Sequence, residues 1–200
     1  FQFKKAHHLL YDFCNDTLSS LYCMAVKDRL YCDRKDSDRR RQTQYCLWVT
    51  LEVLCRLLSP ILPHTSEEAY FCLHHSTVHL TALLDINFRA HGDWEEVMGI
   101  RQNVLKALEV AKEQGIDNSL DAEVRISGSI DTLSPFQSDL ADLFSVSIVS
   151  LESKPTKGVH ISVHDLRNQP RCERSWRRDG TVQKRANGAF LSDRDAEAIL

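Results

Sequence analysis

Apolar side chains at Phe3, Ala6, Leu10, Phe13, Cys14, Leu21 and Met24 recur at steps of three and four. That spacing lines one face of a helix and predicts a long helix over residues 1 to 28 with a single buried stripe. The charged stretch Asp33-Arg34-Lys35-Asp36-Ser37-Asp38 separates it from a second helix running to about Ser59. There Tyr45, Leu47, Trp48, Val49, Leu51, Val53, Leu54 and Leu57 surround the axis almost completely, which places this helix at the centre of a bundle. Pro60 and Pro63 halt it, and Thr65 with Glu68 reads as a capping box that starts a short third helix ending near His75. A loop through Leu83, Leu84, Asp85 and Ile86 leads to Asp93, an expected N-cap with Glu96 at the third helical position. Trp94, Val97, Met98, Val104, Leu105 and Leu108 then trace a fourth helix, closed by Gly115.

Beyond Gly115 the period changes. Val124 and Ile126 alternate with Arg125 and Ser127 as in a half-buried strand, and Val146 to Leu151 and Val159 to His164 also read as strands. Between them Ser134-Pro135 is an expected helix start, with Ser134 as N-cap and Pro135 at the first position. The chain thus divides into a helical region over residues 1 to 116, a small α+β unit over 117 to 168 and a tail over 169 to 200. It is mostly α, without internal repeats or low-complexity tracts.

Composition supports this division: 42% apolar and 26% charged residues are ordinary for a soluble globular chain. Only 5 Pro and 7 Gly argue against an all-β architecture with many tight turns. The apolar run from Tyr45 to Leu58 is broken by Thr50, Glu52 and Arg56 and falls short of the roughly 18 residues that span a bilayer, so no membrane crossing is expected. Seven cysteines, an odd number mostly within helical patterns, point to a reduced compartment rather than a disulfide scaffold. Phe1 in place of an initiator Met, with no signal-peptide core, reads as part of something longer.

The net charge of -3 conceals an asymmetry. Residues 1 to 60 carry 10 basic and 7 acidic side chains, residues 61 to 170 carry 8 and 16, and residues 171 to 200 carry 7 and 5. The basic ends suit a polyanion, and two clusters stand out. Lys27, Arg29, Arg34, Lys35, Arg39, Arg40 and Arg41 gather at one end of the bundle if the first two helices are antiparallel, a pattern suited to phosphates. The plainer alternative is a solvated junction paired with Asp28, Asp33, Asp36 and Asp38. In the tail, Arg171, Arg174, Trp176, Arg177 and Arg178 interleave an aromatic ring with guanidinium groups, which favours base stacking with backbone neutralisation; a packed Trp with charged neighbours is the alternative.

Catalytic signatures are absent: no Gly-x-Gly-x-x-Gly, phosphate loop, His-Glu-x-x-His or Gly-x-Ser-x-Gly occurs. Cys72, His74, His75 and His79 form a possible metal cluster, but neighbouring histidines on a helix diverge by about 100° and share a tetrahedral site poorly. A solvated helix end is favoured. His160 and His164 share one strand face by the period of two, most simply as sheet surface.

Several motifs occur in one order: Phe13-Cys14, Leu18-Ser19-Ser20-Leu21-Tyr22, Lys27-Asp28-Arg29-Leu30-Tyr31, Arg40-Arg41-Gln42-Thr43 and Leu58-Ser59-Pro60-Ile61-Leu62-Pro63-His64-Thr65-Ser66-Glu67-Glu68. This run resembles the anticodon-binding helical domain of class I aminoacyl-tRNA synthetases. Lys27 to Tyr31 after the Leu-Ser-x-x-Tyr element is most similar to the isoleucyl enzymes of bacterial and organellar type. The Pro-Ile-Leu-Pro stretch is shared with valyl, leucyl and methionyl relatives. Lys106-Ala107-Leu108-Glu109 and Asn118-Ser119-Leu120-Asp121-Ala122 continue the likeness, which covers nearly the whole chain.

The resemblance implies an anticodon-binding helical bundle, the α+β unit, and a tail that in the family often binds zinc through two Cys-x-x-Cys pairs. Here those four positions are Cys172, Ser175, Ser192 and Asp195. One thiolate with two hydroxyls and a carboxylate is a poor zinc set, so zinc is expected to be absent, with Trp176, Phe190 and Leu191 as the apolar anchor of the tail. His160 and His164 are the replacement ligands to suspect if an ion were retained. The family's adenylation signatures and editing domain are missing, so ATP and magnesium would belong to the parent protein's catalytic domain. The implied role is binding of the isoleucine tRNA anticodon stem and loop in support of that catalytic domain, with no catalytic residue in this chain. The implied location is the mitochondrial matrix, or the cytoplasm of a bacterium. A valyl or leucyl relative, and a protein-interaction module without RNA binding, remain open alternatives.

Overall fold

The long N-terminal helix forms and runs past the apolar residues that predict it, but the stripe expected to be buried is not: no residue from Phe3 to Cys23 is buried, and Phe3, Phe13 and Met24 are exposed. In the computed structural model, which describes residues 2–84, 92–155 and 158–199, α1 (Phe3–Asp12) continues through a π-helical stretch (Phe13–Cys23) into α2 (Met24–Cys32). Asp33, at φ -68 and ψ 155, leaves the helical region and ends it. The hydroxyl of Ser37 accepts from Arg40 N at 3.2 Å, capping α3 (Asp38–Leu58). α4 (Pro63–His74) starts at Pro63, whose fixed φ suits the first helical position. The chain is therefore already helical at Thr65, and no side-chain cap is made there, so the expected capping box does not form.

α3 does not occupy the centre of the bundle. Only Thr43, Glu52, Leu54 and Cys55 are buried along it, while Tyr45, Trp48, Leu51 and Leu57 are exposed. Among the described residues α2 and α4 pack against it, which covers a stripe and leaves the rest of its circumference open. The buried carboxylate of Glu52 is paired with Arg56 and lies 2.5 Å from His74 Nε2. Arg56 in turn donates to the Tyr70 hydroxyl at 3.2 Å. α5 (Trp94–Glu113) begins as expected, with Asp93 Oδ1 accepting from Glu96 N at 3.1 Å. It ends at Gly115, whose φ of 99 lets Ile116 N reach the Ala111 carbonyl at 3.0 Å. The loop positions Asp85 and Ile86 lie outside the described residues.

The change of period after Gly115 is a three-stranded sheet. Central β1 (Ala122–Gly128) runs parallel to β2 (Ile148–Ser153) and antiparallel to β3 (Val159–Asp165). Val124 faces Val149 and Val163, and Ile126 faces Leu151 and Ile161, so one face is apolar. α5 and α6 (Gln137–Phe144) supply Val97, Ile100, Val104, Leu140 and Phe144 to the core on that face. Ser134 does not cap α6: a tight turn over Ser134–Phe136 intervenes, anchored by fully buried Leu133, and the Ser134 hydroxyl donates back to Ile130 O at 3.1 Å. The tail folds as β4 (Gln183–Lys184) paired with β5 (Phe190–Leu191), followed by α7 (Asp193–Ala198). Among the described residues no helix is long and apolar enough to cross a membrane.

Gly128 sits at φ 125, and a Cβ there would lie 2.1 Å from the Gly158 carbonyl oxygen. Gly128→Ala is expected to destabilise the chain by more than about 1 kcal/mol, read from the urea midpoint. Gly99→Ala, in α5 with nothing within 4 Å of the new methyl group, is expected to stabilise it by up to about 1 kcal/mol.

Candidate nucleic-acid interface

Charge on the three segments decides how they meet. The acidic middle enters between the two basic ends through Asp142 on α6, whose side chain is only 1% exposed. Arg29 of α2 reaches Asp142 Oδ2 through Nη2 at 2.6 Å and through Nε at 3.0 Å, and reaches Asp139 at 2.7 Å. Arg39 of α3 bonds to Asp142 Oδ2, and Arg177 of the tail to Oδ1 at 2.5 Å. Arg177 also lies 3.6 Å from Asp28, and Arg39 lies 3.8 Å from Asp33. Arg194 of α7 closes the set, at 2.5 Å from Asp28 and 3.4 Å from Asp33. Four guanidinium groups thus alternate with the four carboxylates of Asp28, Asp33, Asp139 and Asp142.

Most of the arginines expected at a polyanion surface are therefore engaged inside. Arg40 donates to the Asp33 carbonyl at 2.8 Å. Arg174 donates to the Tyr31 carbonyl at 2.8 Å and lies 3.5 Å from Asp195. Arg178 reaches Asp121 at 2.7 Å and also bonds to the Gln169 carbonyl. Arg34 pairs with Asp36 at 3.0 Å in solvent, the only one of the junction's expected local carboxylate pairs at side-chain hydrogen-bond distance among the described residues. Lys27, Lys35, Arg41 and Arg171 are exposed. The sequence reasoning missed Asp142, Asp139 and Arg194; the acidic excess of the middle segment was the available signal, though it names no residue.

Burial alone would raise the Asp28 carboxyl, but the hydrogen bond from Arg194 and the nearby Arg177 hold it below the ordinary carboxylate value. For Asp33 burial wins over Arg39 and Arg194, and its value is raised. The Cys32 thiol is pushed up to about 11 by burial and by the Asp28 and Asp195 charges, so it stays protonated at neutral pH.

A cleft of about 560 Å³ opens where the three segments meet, with Met24, Lys27, Tyr31, Ser119 and Trp176 among its walls. Trp176 is 55% exposed and sits at φ 64, a left-handed conformation uncommon for an aromatic residue. The turn that holds it is closed by Trp176 N to Cys172 O and Cys172 N to Arg177 O, both 2.9 Å. Arg171 stacks over the indole ring with its Cζ 5.5 Å from the centroid. Trp176 therefore does not anchor the tail; neither does Phe190, at 41% exposure. The buried cluster there is Cys172, Val182 and Leu191.

The four positions aligned with zinc ligands do converge. Asp195 Oδ2 accepts from Ser175 Oγ at 2.6 Å, from Ser192 Oγ at 2.9 Å and from Cys172 Sγ at 3.0 Å. Burial raises the Asp195 carboxyl, but these three donors and Arg194 outweigh it and leave the value lowered. Among the described residues no three His, Cys, Asp or Glu side chains are grouped to hold a metal. His74 pairs with Glu52, His79 lies 3.8 Å from Glu67, and His160 and His164 are exposed on β3, with Ser162 3.2 Å from His164.

Comparison with known proteins fits this architecture. The family model for the anticodon-binding domain of tRNA ligases matches residues 1–126. The isoleucine–tRNA ligase of Thermotoga petrophila is 37% identical over 88% of the chain and 21% of its own length. That of Petrotoga mobilis is 33% identical over 90% and 21%, and that of Brachyspira hyodysenteriae 32% identical over 100% and 24%. The chain thus spans about a fifth to a quarter of these relatives.

Removing one partner of a buried pair leaves the others uncompensated. Asp142→Ala is expected to cost about 3–5 kcal/mol in urea unfolding, whereas Asp139→Ala, whose side chain is 46% exposed, is expected to cost less than about 1 kcal/mol. A lowered carboxylate stabilises the fold above its unfolded value, near pH 4, and that contribution is lost as pH falls through the folded value. Between pH 5 and pH 2 the urea midpoint is expected to fall less steeply in Asp28→Asn than in the unaltered chain.

Proposed function

We propose, for a chain that belongs to the anticodon-binding domain family of tRNA ligases, that it holds the anticodon stem and loop of an isoleucine tRNA for a catalytic domain elsewhere in the same protein. The observation that carries this reading is Trp176, exposed at the rim of the cleft, held in a left-handed turn and stacked by Arg171. An aromatic face beside a guanidinium suits an unpaired base splayed from a loop. Lys27 on the cleft wall, with exposed Lys35, Arg41 and Arg171, supplies charge for the phosphates. Arg29, Arg39 and Arg177 act indirectly, by fixing the walls that bear these groups. The names of the bacterial relatives support isoleucine as the amino acid concerned. ATP and magnesium serve the catalytic domain, and the chain's own task is recognition. Bacterial-type relatives combined with the missing thiolates favour a mitochondrial location over a bacterial one.

A second surface supports contact with protein. Leu10, Phe13, Tyr45, Val49, Val53 and Leu57 line an apolar groove of about 430 Å³ between the first helix and α3. Since the chain spans about a fifth of its relatives, we assign this groove to the rest of the same protein.

Filter binding of isoleucine tRNA tests the reading. Trp176→Ala is expected to lose about 1–3 kcal/mol of affinity, the worth of one stacked base, with its melting temperature unchanged. Replacing Lys27, Lys35 and Arg41 together by Ala is expected to flatten the slope of log affinity against log salt by about 0.7–0.9 for each phosphate no longer neutralised. Unchanged affinity in Trp176→Ala would refute the stacking role.

A further inference from the structure

Of the four tail positions that the resemblance aligns with zinc ligands, three approach the fourth more closely than ligands around an ion do. Around tetrahedral zinc, ligand atoms stand roughly 3.3–3.8 Å apart, as metal distances of about 2.0–2.3 Å require. Here Ser175, Ser192 and Cys172 approach one oxygen of Asp195 at 2.6, 2.9 and 3.0 Å. These are hydrogen bonds, and the space an ion would need is taken by the carboxylate itself. Asp195 and Cys172 are fully buried and Ser192 is 1% exposed, while Ser175 is half-buried, so the accepting carboxylate and two of its three donors are closed to solvent.

The charge pattern is inverted relative to a zinc site. A metal centre is a cation ringed by anionic thiolates; this centre is an anion ringed by neutral O–H and S–H donors. The unbalanced negative charge is met from outside, by Arg194 at 3.4 Å and Arg174 at 3.5 Å. Both arginines also reach the helical bundle, Arg194 at Asp28 and Arg174 at the Tyr31 carbonyl. The four groups come from both halves of the tail: the donors Cys172 and Ser175 from the turn that presents Trp176, the donor Ser192 and the acceptor Asp195 from the start of α7.

We propose that Asp195 is the structural centre of the tail, its carboxylate oxygen standing where a metal ion would otherwise gather these four positions. The tail is then a metal-free version of a two-turn zinc site, and its hold on the bundle runs through the same carboxylate by way of Arg194 and Arg174. Asp195 is in this sense a positioning residue for the Trp176 turn, and the proposal stands whether or not Trp176 meets RNA.

The chain purified without added metal is expected to contain far less than one zinc, to ignore chelators in its melting curve, and to give no thiolate charge-transfer band with cobalt(II). Asp195→Asn keeps the shape and removes the charge; it is expected to speed amide exchange across residues 171–199 by about ten- to a hundredfold, while β1 to β3 keep their protection. Asp193→Asn, at a carboxylate 59% exposed, is expected to leave exchange unchanged. A chain carrying Ser175→Cys, Ser192→Cys and Asp195→Cys together, with Cys172, presents four thiols and is expected to bind one cobalt(II) or zinc and to recover slow exchange when loaded. Stoichiometric zinc in the unaltered chain overturns the proposal, and so does exchange in Asp195→Asn as slow as in the unaltered chain. A triple variant with a protected sheet that takes no metal overturns it as well, because the four positions would then not converge.

Discussion

The charge of Asp142 is the constraint on which the arrangement of this chain turns. An ionised carboxylate with a 1% exposed side chain is costly unless cations reach it with good geometry. Arg29, Arg39 and Arg177 do so from two helices and the tail. Three cations around one anion would be as costly in the opposite sense, and Asp28, Asp33 and Asp139 restore the balance, with Arg194 joining the first two. Each member is held by groups from other elements, so α2, α3, α6, α7 and the Arg177 turn are bound into one alternating lattice of charge. Such a lattice contributes less to stability than apolar packing of equal volume. It does reject wrong arrangements, since displacing any one segment strands a buried charge.

The same lattice determines what remains for a partner. Guanidinium groups drawn into it are removed from the surface, and the exposed cations left over include Lys27 and Arg171 around the cleft between the three segments. The aromatic groups there are exposed as well: Trp176, carried on a left-handed turn, and Tyr31, whose carbonyl accepts from Arg174. An interface with few free charges and two available rings is better suited to unpaired bases than to a uniform track of phosphates. The Cys32 thiol under this region is held protonated by its buried, anionic surroundings and is inert there.

In the tail, the buried apolar cluster among the described residues, Cys172, Val182 and Leu191 with two alanines, is too small to order some thirty residues by apolar burial. The hydrogen bonds to Asp195 supply the missing cross-links. They need no cofactor, but they depend on donors staying neutral and on a carboxylate staying charged.

The elements and their faces were legible in the sequence because they follow from local periodicity. The long first helix, the Asp93 cap with Glu96, the closure at Gly115 and the strands around Val124 and Val159 all depend on neighbours within a few residues, whereas the burial expected for the stripe from Phe3 to Met24 depended on a partner surface and did not follow. Other readings failed where a local motif met a tertiary competitor. Ser134 was displaced by the turn that buries Leu133, and the apolar girdle of α3 met packing on a stripe alone, while Thr65 lost to a local competitor, Pro63, which had already begun α4. The fate of the arginines lay beyond the sequence altogether. The partners of Arg29, Arg39 and Arg194 lie more than a hundred residues away, and a guanidinium reads the same along the chain whether it faces a phosphate or a buried aspartate. The sequence by itself determined that the chain is a helical bundle with a small sheet and an altered tail. Which charges pair, and hence which are left to bind, only the tertiary structure decided, because Coulomb interactions depend on distance in space and on burial, neither of which is written in the order of residues.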